Sequence, residues 1–150
     1  MELDLNGLEI VSPEECLRLL CTRSLGRLGL STDALPVILP VNYVVRDDLI
    51  VIRTRRGTKL ARATRNSIVA FEVDEIDQTS GSGWSVMIQG LAREAPPQIA
   101  EAMASEPALA RWLDPVTSKH FSISIDRMSG RRLHPVAALD RHGADRTTTL

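Results

Sequence analysis

From Gly26 onward the apolar residues of this chain recur every second position, in short runs separated by turn residues, and no long helical segment alternates with them. Leu28 and Leu30 alternate with Arg27, Gly29 and Ser31. After a turn at Thr32-Asp33-Ala34, residues 35–45 put Val37, Leu39, Val41, Tyr43 and Val45 on one face and Ile38, Pro40, Asn42 and Val44 on the other. Successive side chains on a strand point to opposite faces, so this pattern reads as half-buried strands. Pro40 cannot donate to a ladder and predicts an edge or a bulge. Arg46-Asp47-Asp48 is a polar hairpin tip, followed by strands over residues 49–54, 67–74, 84–92 and 119–127 and a short one over 131–134. That makes six or seven strands, mostly in hairpin succession. A doubly wound sheet would need regular strand–helix–strand alternation, so an antiparallel barrel with peripheral helices fits best.

The helices lie at the margins. Ser12-Pro13-Glu14-Glu15 is a helix start, with Ser12 as cap, Pro13 at the first position and Glu15 completing a capping box. Leu17, Leu19, Leu20 and Cys21 give its apolar face, with an end near residues 22–24. Residues 59–65 form a short helix, and Pro96-Pro97 open a helical stretch to about residue 113, broken near 105–107. At 150 residues, with 43% apolar and 25% charged, the chain is one soluble domain, its core over about 10–134 and a polar tail from about 139.

Charge and aromatic content narrow the function. Eighteen basic against nineteen acidic residues leave a net charge of -1, which argues against a generally cationic nucleic-acid binder. Five aromatics (Tyr43, Phe71, Trp84, Trp112, Phe121) are too few for a single-strand stacking platform. No run approaches a membrane span, and the acidic first ten residues do not read as a secretory signal, so the expectation is a cytoplasmic protein. Cys16 and Cys21 lack redox or zinc spacing and read as small core residues in a reducing compartment. His120, His134 and His142 have no metal-ligand spacing and read as structural or surface residues; no metal is expected.

The strongest chemical feature is the stretch from Ile50 to Arg62. Arg53, Arg55, Arg56, Lys59 and Arg62 fall within ten positions, around a strand end, Gly57 and a helix start. With Thr54 and Thr58 adding hydroxyls, the segment reads either as a phosphate site or as a solvated basic loop. It is not a Walker loop. Asn42, polar on an apolar strand, either bonds a heterocyclic ring edge or satisfies backbone beside Pro40. Trp84, after Gly81-Ser82-Gly83, either covers a flat ring or is a core tryptophan. Glu72, Asp74, Glu75 and Asp77 read as a solvated acidic strand end, with acid–base work as the alternative. No GxSxG elbow and no GxGxxG after a strand is present, and no catalytic side chain stands out.

In order along the chain, these segments resemble the FMN-binding split-barrel superfamily in its pyridoxamine 5'-phosphate oxidase-like branch. Carrying the resemblance are Ser12-Pro13-Glu14-Glu15-Cys16-Leu17-Arg18-Leu19-Leu20 with Leu25-Gly26-Arg27-Leu28, then residues 36–43 ending in Pro40-Val41-Asn42-Tyr43. Next come Arg53-Thr54 and Gly57-Thr58-Lys59-Leu60 leading into Val69-Ala70-Phe71-Glu72-Val73-Asp74, then Gly83-Trp84-Ser85-Val86-Met87-Ile88-Gln89-Gly90 and Ser129-Gly130-Arg131-Arg132-Leu133. The resemblance implies a six-stranded antiparallel Greek-key barrel, a homodimer, and a flavin in a groove between the two copies. Carried over, Val41 and Asn42 would face the isoalloxazine ring. Arg53, Thr54 and Lys59 would hold the phosphate, with Gly57, Thr58 and Leu60 shaping that loop. Trp84 and Ser85 would close the site from the partner copy. The implied cofactor is FMN, with the deazaflavin F420 as the alternative. The implied activity is oxidation or reduction of a small molecule, with a non-catalytic flavin or haem carrier as the rival. The vitamin-B6 oxidases end in a basic motif that residues 141–150 lack, which argues against pyridoxamine-phosphate oxidation itself.

Overall fold

A computed structural model describes residues 1–109 and 117–135, with Lys59 and Leu60 described by their backbone alone. The elements in chain order are β1 (Glu9–Val11), α1 (Pro13–Leu20), β2 (Leu25–Thr32), β3 (Leu35–Arg46), β4 (Leu49–Arg55), α2 (Lys59–Thr64), β5 (Ser67–Ile76), β6 (Gly83–Glu94), α3 (Pro97–Met103), a 3-10 turn (Pro107–Leu109), β7 (Ser118–Ser124) and β8 (Arg127–Leu133). The helical stretch beyond residue 109, Trp112 and the polar tail lie outside the described residues.

Two three-stranded meanders, β2-β3-β4 and β5-β6-β7, build the barrel. They join antiparallel through β2–β5 and β4–β7, which closes six strands in Greek-key order. The β2–β3 and β3–β4 hairpins have two-residue tips, Asp33-Ala34 and Asp47-Asp48. All four tip residues have positive φ, between 51° and 64°. That is the turn whose twist matches the flanking strands, and aspartate tolerates it better than most residues. Pro40 pairs with Arg27 of β2, but the β3–β4 ladder starts only at Tyr43↔Ile52. Its missing N–H therefore costs no ladder bond, as the expected edge position requires.

The split in the barrel is a fork along β6. Residues Gly83 to Gln89 pair with β8, and Ala92 to Glu94 pair with β7. Gly90 marks the change, where a Cβ would overlap the Ser124 backbone. Ser124 Oγ accepts from Leu91 N–H at 3.0 Å, so the backbone freed at the fork is bonded. β8 and β1 extend the sheet outward from β6.

Inside the barrel, Leu28, Tyr43, Ile50, Ile52, Phe71, Val86, Ile88, Phe121 and Ile123 are fully or almost fully buried. Each side chain of this size contributes about 1.5–3 kcal/mol by leaving water. Helix α1 closes one side with Cys16, Leu19 and Leu20, held by its Ser12 cap. Tyr43 stands edge-on to Phe71 at 4.9 Å. A second, small core lies outside the wall, where Val51 and Val44 pack under Met103, Leu109 and Ile99 of α3 and the 3-10 turn.

Three details differ from the sequence expectation. Residues 119–127 are not one strand: the chain turns at Ile125-Asp126, and β8 starts at Arg127. Ile125 still packs against the core from the turn, so the apolar alternation runs through it without a break. β1 was not expected, being three residues held by pairing to β8. Cys21 is exposed at the end of α1, which stops at Leu20, while Cys16 is buried; both are free thiols.

Candidate functional site

The β3–β4 ladder ends at Tyr43↔Ile52, and Asn42 and Arg53 are the next residue on each strand. Arg53 in turn pairs with His120 on β7. Tyr43, Ile52 and Phe121 point into the barrel, so Asn42, Arg53 and His120 form a row on its outer face. The row borders the small core under α3. Asn42 is 9% exposed and Arg53 4%. A guanidinium that deep is unusual, because burying a charge is costly unless the surroundings compensate it.

His120 is the member that the sequence did not single out. Burial, then the positive charge of Arg53, hold its imidazole below the usual histidine range, although a hydrogen bond to the Met103 backbone works the other way. Its Nε2 is buried with no hydrogen-bond partner among the described residues. The signal that exposes it is the β4–β7 register, which links positions 67 residues apart.

The basic segment is braced. Arg56 Nε donates to the Ser118 carbonyl at 3.1 Å, and Arg62 donates to the Gly57 carbonyl at 3.3 Å. Thr58 caps α2: its Oγ1 accepts from Ala61 N–H at 3.1 Å and donates to the Arg55 carbonyl at 3.0 Å. That hydroxyl is therefore already committed. Gly57 has φ +71° and open space around it. Helix α2 has only six residues, so its dipole adds little. The side chains of Lys59 and Leu60 lie outside the described residues.

Other expected site residues separate. Val41 turns into the core at 5% exposure, the opposite face of β3 from Asn42. Thr54 follows Arg53 on β4 and points the other way, into the barrel, with its Oγ1 buried and lacking a hydrogen-bond partner among the described residues. Tyr43 is core: its hydroxyl donates to the Leu20 carbonyl at 2.5 Å. Trp84 and Ser85 begin β6, whereas the other end of that strand, Glu94, pairs beside His120 at Phe121. Ten residues of strand span about 33 Å, so one chain does not bring Trp84 to Arg53. Trp84 is buried and lines a cavity of about 490 Å³ with Glu75, Asp77, Arg132 and His134. Side chains there are largely paired: Glu75 meets Arg23, Arg132 meets Glu15 at 3.2 Å, and His134 is hydrogen-bonded to Glu9 at 2.5 Å.

The outer face of β3, β2, β5 and β6 is mixed, with exposed apolar residues beside a charged cluster. Ile38, Gly29, Ala70 and Gln89 align across it, as do Pro40, Arg27, Glu72 and Met87. Ile38 is 72% exposed and Ile68 70%. Within this face Arg27 reaches Glu72 and Asp74, each at 3.4 Å. Burial, then the Asp74 charge, raise the Glu72 carboxyl above its usual range.

A family model described as pyridoxamine 5'-phosphate oxidase matches residues 12–132. The solved FAD-binding protein of Mycobacterium smegmatis is 34% identical, over 83% of this chain and 97% of that one, with a TM-score of 0.69. A FAD-binding protein from Mesorhizobium loti is 27% identical, over 83% of this chain and 96% of that one, also with a TM-score of 0.69. An uncharacterized protein of Mycobacterium tuberculosis is 40% identical over 94 residues, which is 58% of this chain and 62% of that protein. The match thus spans less than two thirds of that relative.

Proposed function

The chain belongs to the pyridoxamine 5'-phosphate oxidase-like, FMN-binding split-barrel family, and on that premise we propose that it is a flavin-dependent oxidoreductase acting as a homodimer. The observation that carries this reading is the buried Arg53 on the barrel's outer face, flanked by Asn42 and His120. The row fits a flavin. A guanidinium offers a fork of donors to a phosphate, and Asn42 offers both a donor and an acceptor to a ring edge. The flavin, when bound, supplies the hydride or electron chemistry. The chain's residues bind it, orient it and keep water off it, which agrees with the lack of an evident catalytic acid or base.

In this reading Arg53 holds the phosphate and Asn42 contacts the ring. The 57–60 segment, with Gly57, Thr58, Lys59 and Leu60, frames the phosphate end, while Thr54, turned into the barrel, takes no part. Trp84 and Ser85 complete the site from the second copy, because within one chain they stand too far along β6. The exposed Ile38–Ile68 face supports pairing of two copies, since large apolar side chains on a sheet face are costly to leave in water. FMN is the proposed cofactor. FAD contains the same ring, ribityl chain and first phosphate, and the two FAD-binding relatives make it the main competitor, ahead of deazaflavin F420. Free thiols at Cys16 and Cys21 suit a reducing, cytoplasmic setting.

The test is an absorption spectrum of the purified chain, alone and after adding FMN, FAD or F420, followed by chromatography of any released cofactor. A flavin spectrum, bleached by a nicotinamide and restored by an acceptor, is the expected result. A colourless protein that ignores all three overturns the reading. Relatives described as FAD-binding also favour a second reading, a flavin carrier. Binding without turnover would select it.

A further inference from the structure

We propose that Glu72 and Asp74 lie inside the contact between two copies of this chain, and that the contact forms with uptake of a proton by this carboxylate pair, so that mild acid tightens the dimer. The inference rests on the homodimer reading above and goes beyond it in naming the groups that the contact buries and the condition that regulates it.

Charge on the outer face does not balance. Glu72 and Asp74 are two apart on β5, so their side chains share a face, with Cα atoms about 6.7 Å apart. One nitrogen serves both: Arg27 Nη1 on β2 lies 3.4 Å from Glu72 Oε2 and 3.4 Å from Asp74 Oδ2. Two ionised carboxylates and one guanidinium leave each copy one negative charge in excess. Among the described residues no second cation meets either acid. Arg23 is held by Glu75, and Arg131 of β8, which continues the row from Asp74 through Ser85, is held by Asp4 at 2.7 Å. Arg127 stands in another row, opposite Gln89. The row of Arg27 and Glu72 continues into the uncharged Pro40 and Met87.

Pairing of two copies across this face removes the water that still reaches the cluster. In a single copy the Glu72 side chain is 30% exposed and that of Asp74 35%. A carboxylate pair one counter-charge short is costly to bury, and it relieves the cost by taking a proton. A two-fold contact doubles the excess, since each copy brings its own cluster to it. Glu72 already shows the tendency in one copy: burial, then the Asp74 charge, raise its carboxyl above the usual range, against the pull of Arg27. The pair therefore holds a proton more tightly in the dimer than in the free copy. Association takes up protons, and lower pH favours it.

Sedimentation equilibrium of the full-length chain from about pH 6 to about pH 8, at constant ionic strength, tests this. Glu72→Gln and Asp74→Asn are measured beside the parent, and each is melted in dilute solution. The dissociation constant of the parent is expected to fall by about tenfold or more per pH unit on acidification, the slope of one or more protons per dimer. Each amide variant presents a neutral cluster, so its dimer should be tighter than the parent's at the alkaline end and nearly independent of pH. The histidines at 120 and 134 stand off this face, on β7 and beside Glu9, so a slope that came from them would survive in both variants and overturn the proposal. Dimers weakened at the alkaline end in both variants, with melting near the parent, also overturn it, because the partner copy would then supply a cation to the ionised acids. A parent that stays a monomer at every pH takes the homodimer reading down together with this one; a parent dimer whose constant ignores pH takes down only this one.

Discussion

Gly90 of β6 lies so close to the backbone of Ser124 that a single added Cβ would overlap the Ser124 carbonyl oxygen. This contact is where β6 leaves β8 and takes up β7, and the three pairs that follow close the barrel. Gly90→Ala must push the two strands apart at the seam. We expect a loss of about 3 kcal/mol, the upper end for overpacking, read as a lower urea midpoint with an unchanged slope. Gly29→Ala is the control, since its nearest neighbour, the Ala70 Cβ, would be at an ordinary 3.6 Å. It should change stability by less than about 0.5 kcal/mol. Similar losses at both positions would show that the seam is not special.

Arg53 is expected to supply most of the phosphate affinity. Arg53→Gln keeps polarity and much of the volume but removes the charge and the fork. Charge-assisted hydrogen bonds are worth about 1.5–3 kcal/mol, so FMN should bind about 10–100-fold more weakly. Riboflavin, without the phosphate, should lose little. Arg53→Lys should fall between, because an ammonium is a point charge. Titrations with both ligands decide this, and equal losses for FMN and riboflavin would remove Arg53 from the phosphate.

Much of this architecture could be read from residue order, because the reasons are local. A strand with one buried face must alternate, and Leu28, Leu30, Val41 and Tyr43 do. Pro40, lacking an N–H, predicts an edge or a bulge, and the barrel follows from hairpins in succession. The misses have non-local causes. Ile125 continues the alternation through a turn that only the Asp126 N–H to Gln89 carbonyl bond, at 3.2 Å, makes visible. The resemblance implies that Val41 and Asn42 both face the ring and that Arg53 and Thr54 both hold the phosphate, yet a strand sends neighbours to opposite faces, and Val41 and Thr54 turn inward. His120 gains its significance from a residue on another strand, and no spacing within the sequence states that pairing.

The outer face of β3, β2, β5 and β6 should decide the oligomeric state. Ile38 is 72% exposed and aligns with Gly29 and Ala70, which present no bulk. Under two-fold pairing, Ile38→Glu introduces two charges into one interface. Dimer dissociation should become easier by on the order of 100-fold or more, while the melting temperature of the dilute chain barely moves. Sedimentation equilibrium across a concentration series measures it. An unchanged dimer would mean that another face makes the contact.

Tyr43 makes the fold sensitive to alkali. Its ring is 1% exposed, and its hydroxyl donates to the Leu20 carbonyl. Burial, the largest cause, then the Cys21 charge, hold the phenol's ionisation above the ordinary tyrosine range. Above about pH 10 the unfolded chain therefore releases a proton that the folded chain keeps. Stability from this group is fully present below that pH and falls as pH rises further. Tyr43→Phe should cost about 1–2 kcal/mol at pH 7, because the Leu20 carbonyl loses its donor. It should also flatten the alkaline decline, so that the two proteins converge between pH 10 and higher pH. Cys16, whose thiol is likewise raised by burial, has the same sign and leaves a residual slope in the variant. Urea midpoints from about pH 7 to 11 measure both effects. Parallel declines in parent and variant would mean that the Tyr43 proton is not what the fold retains.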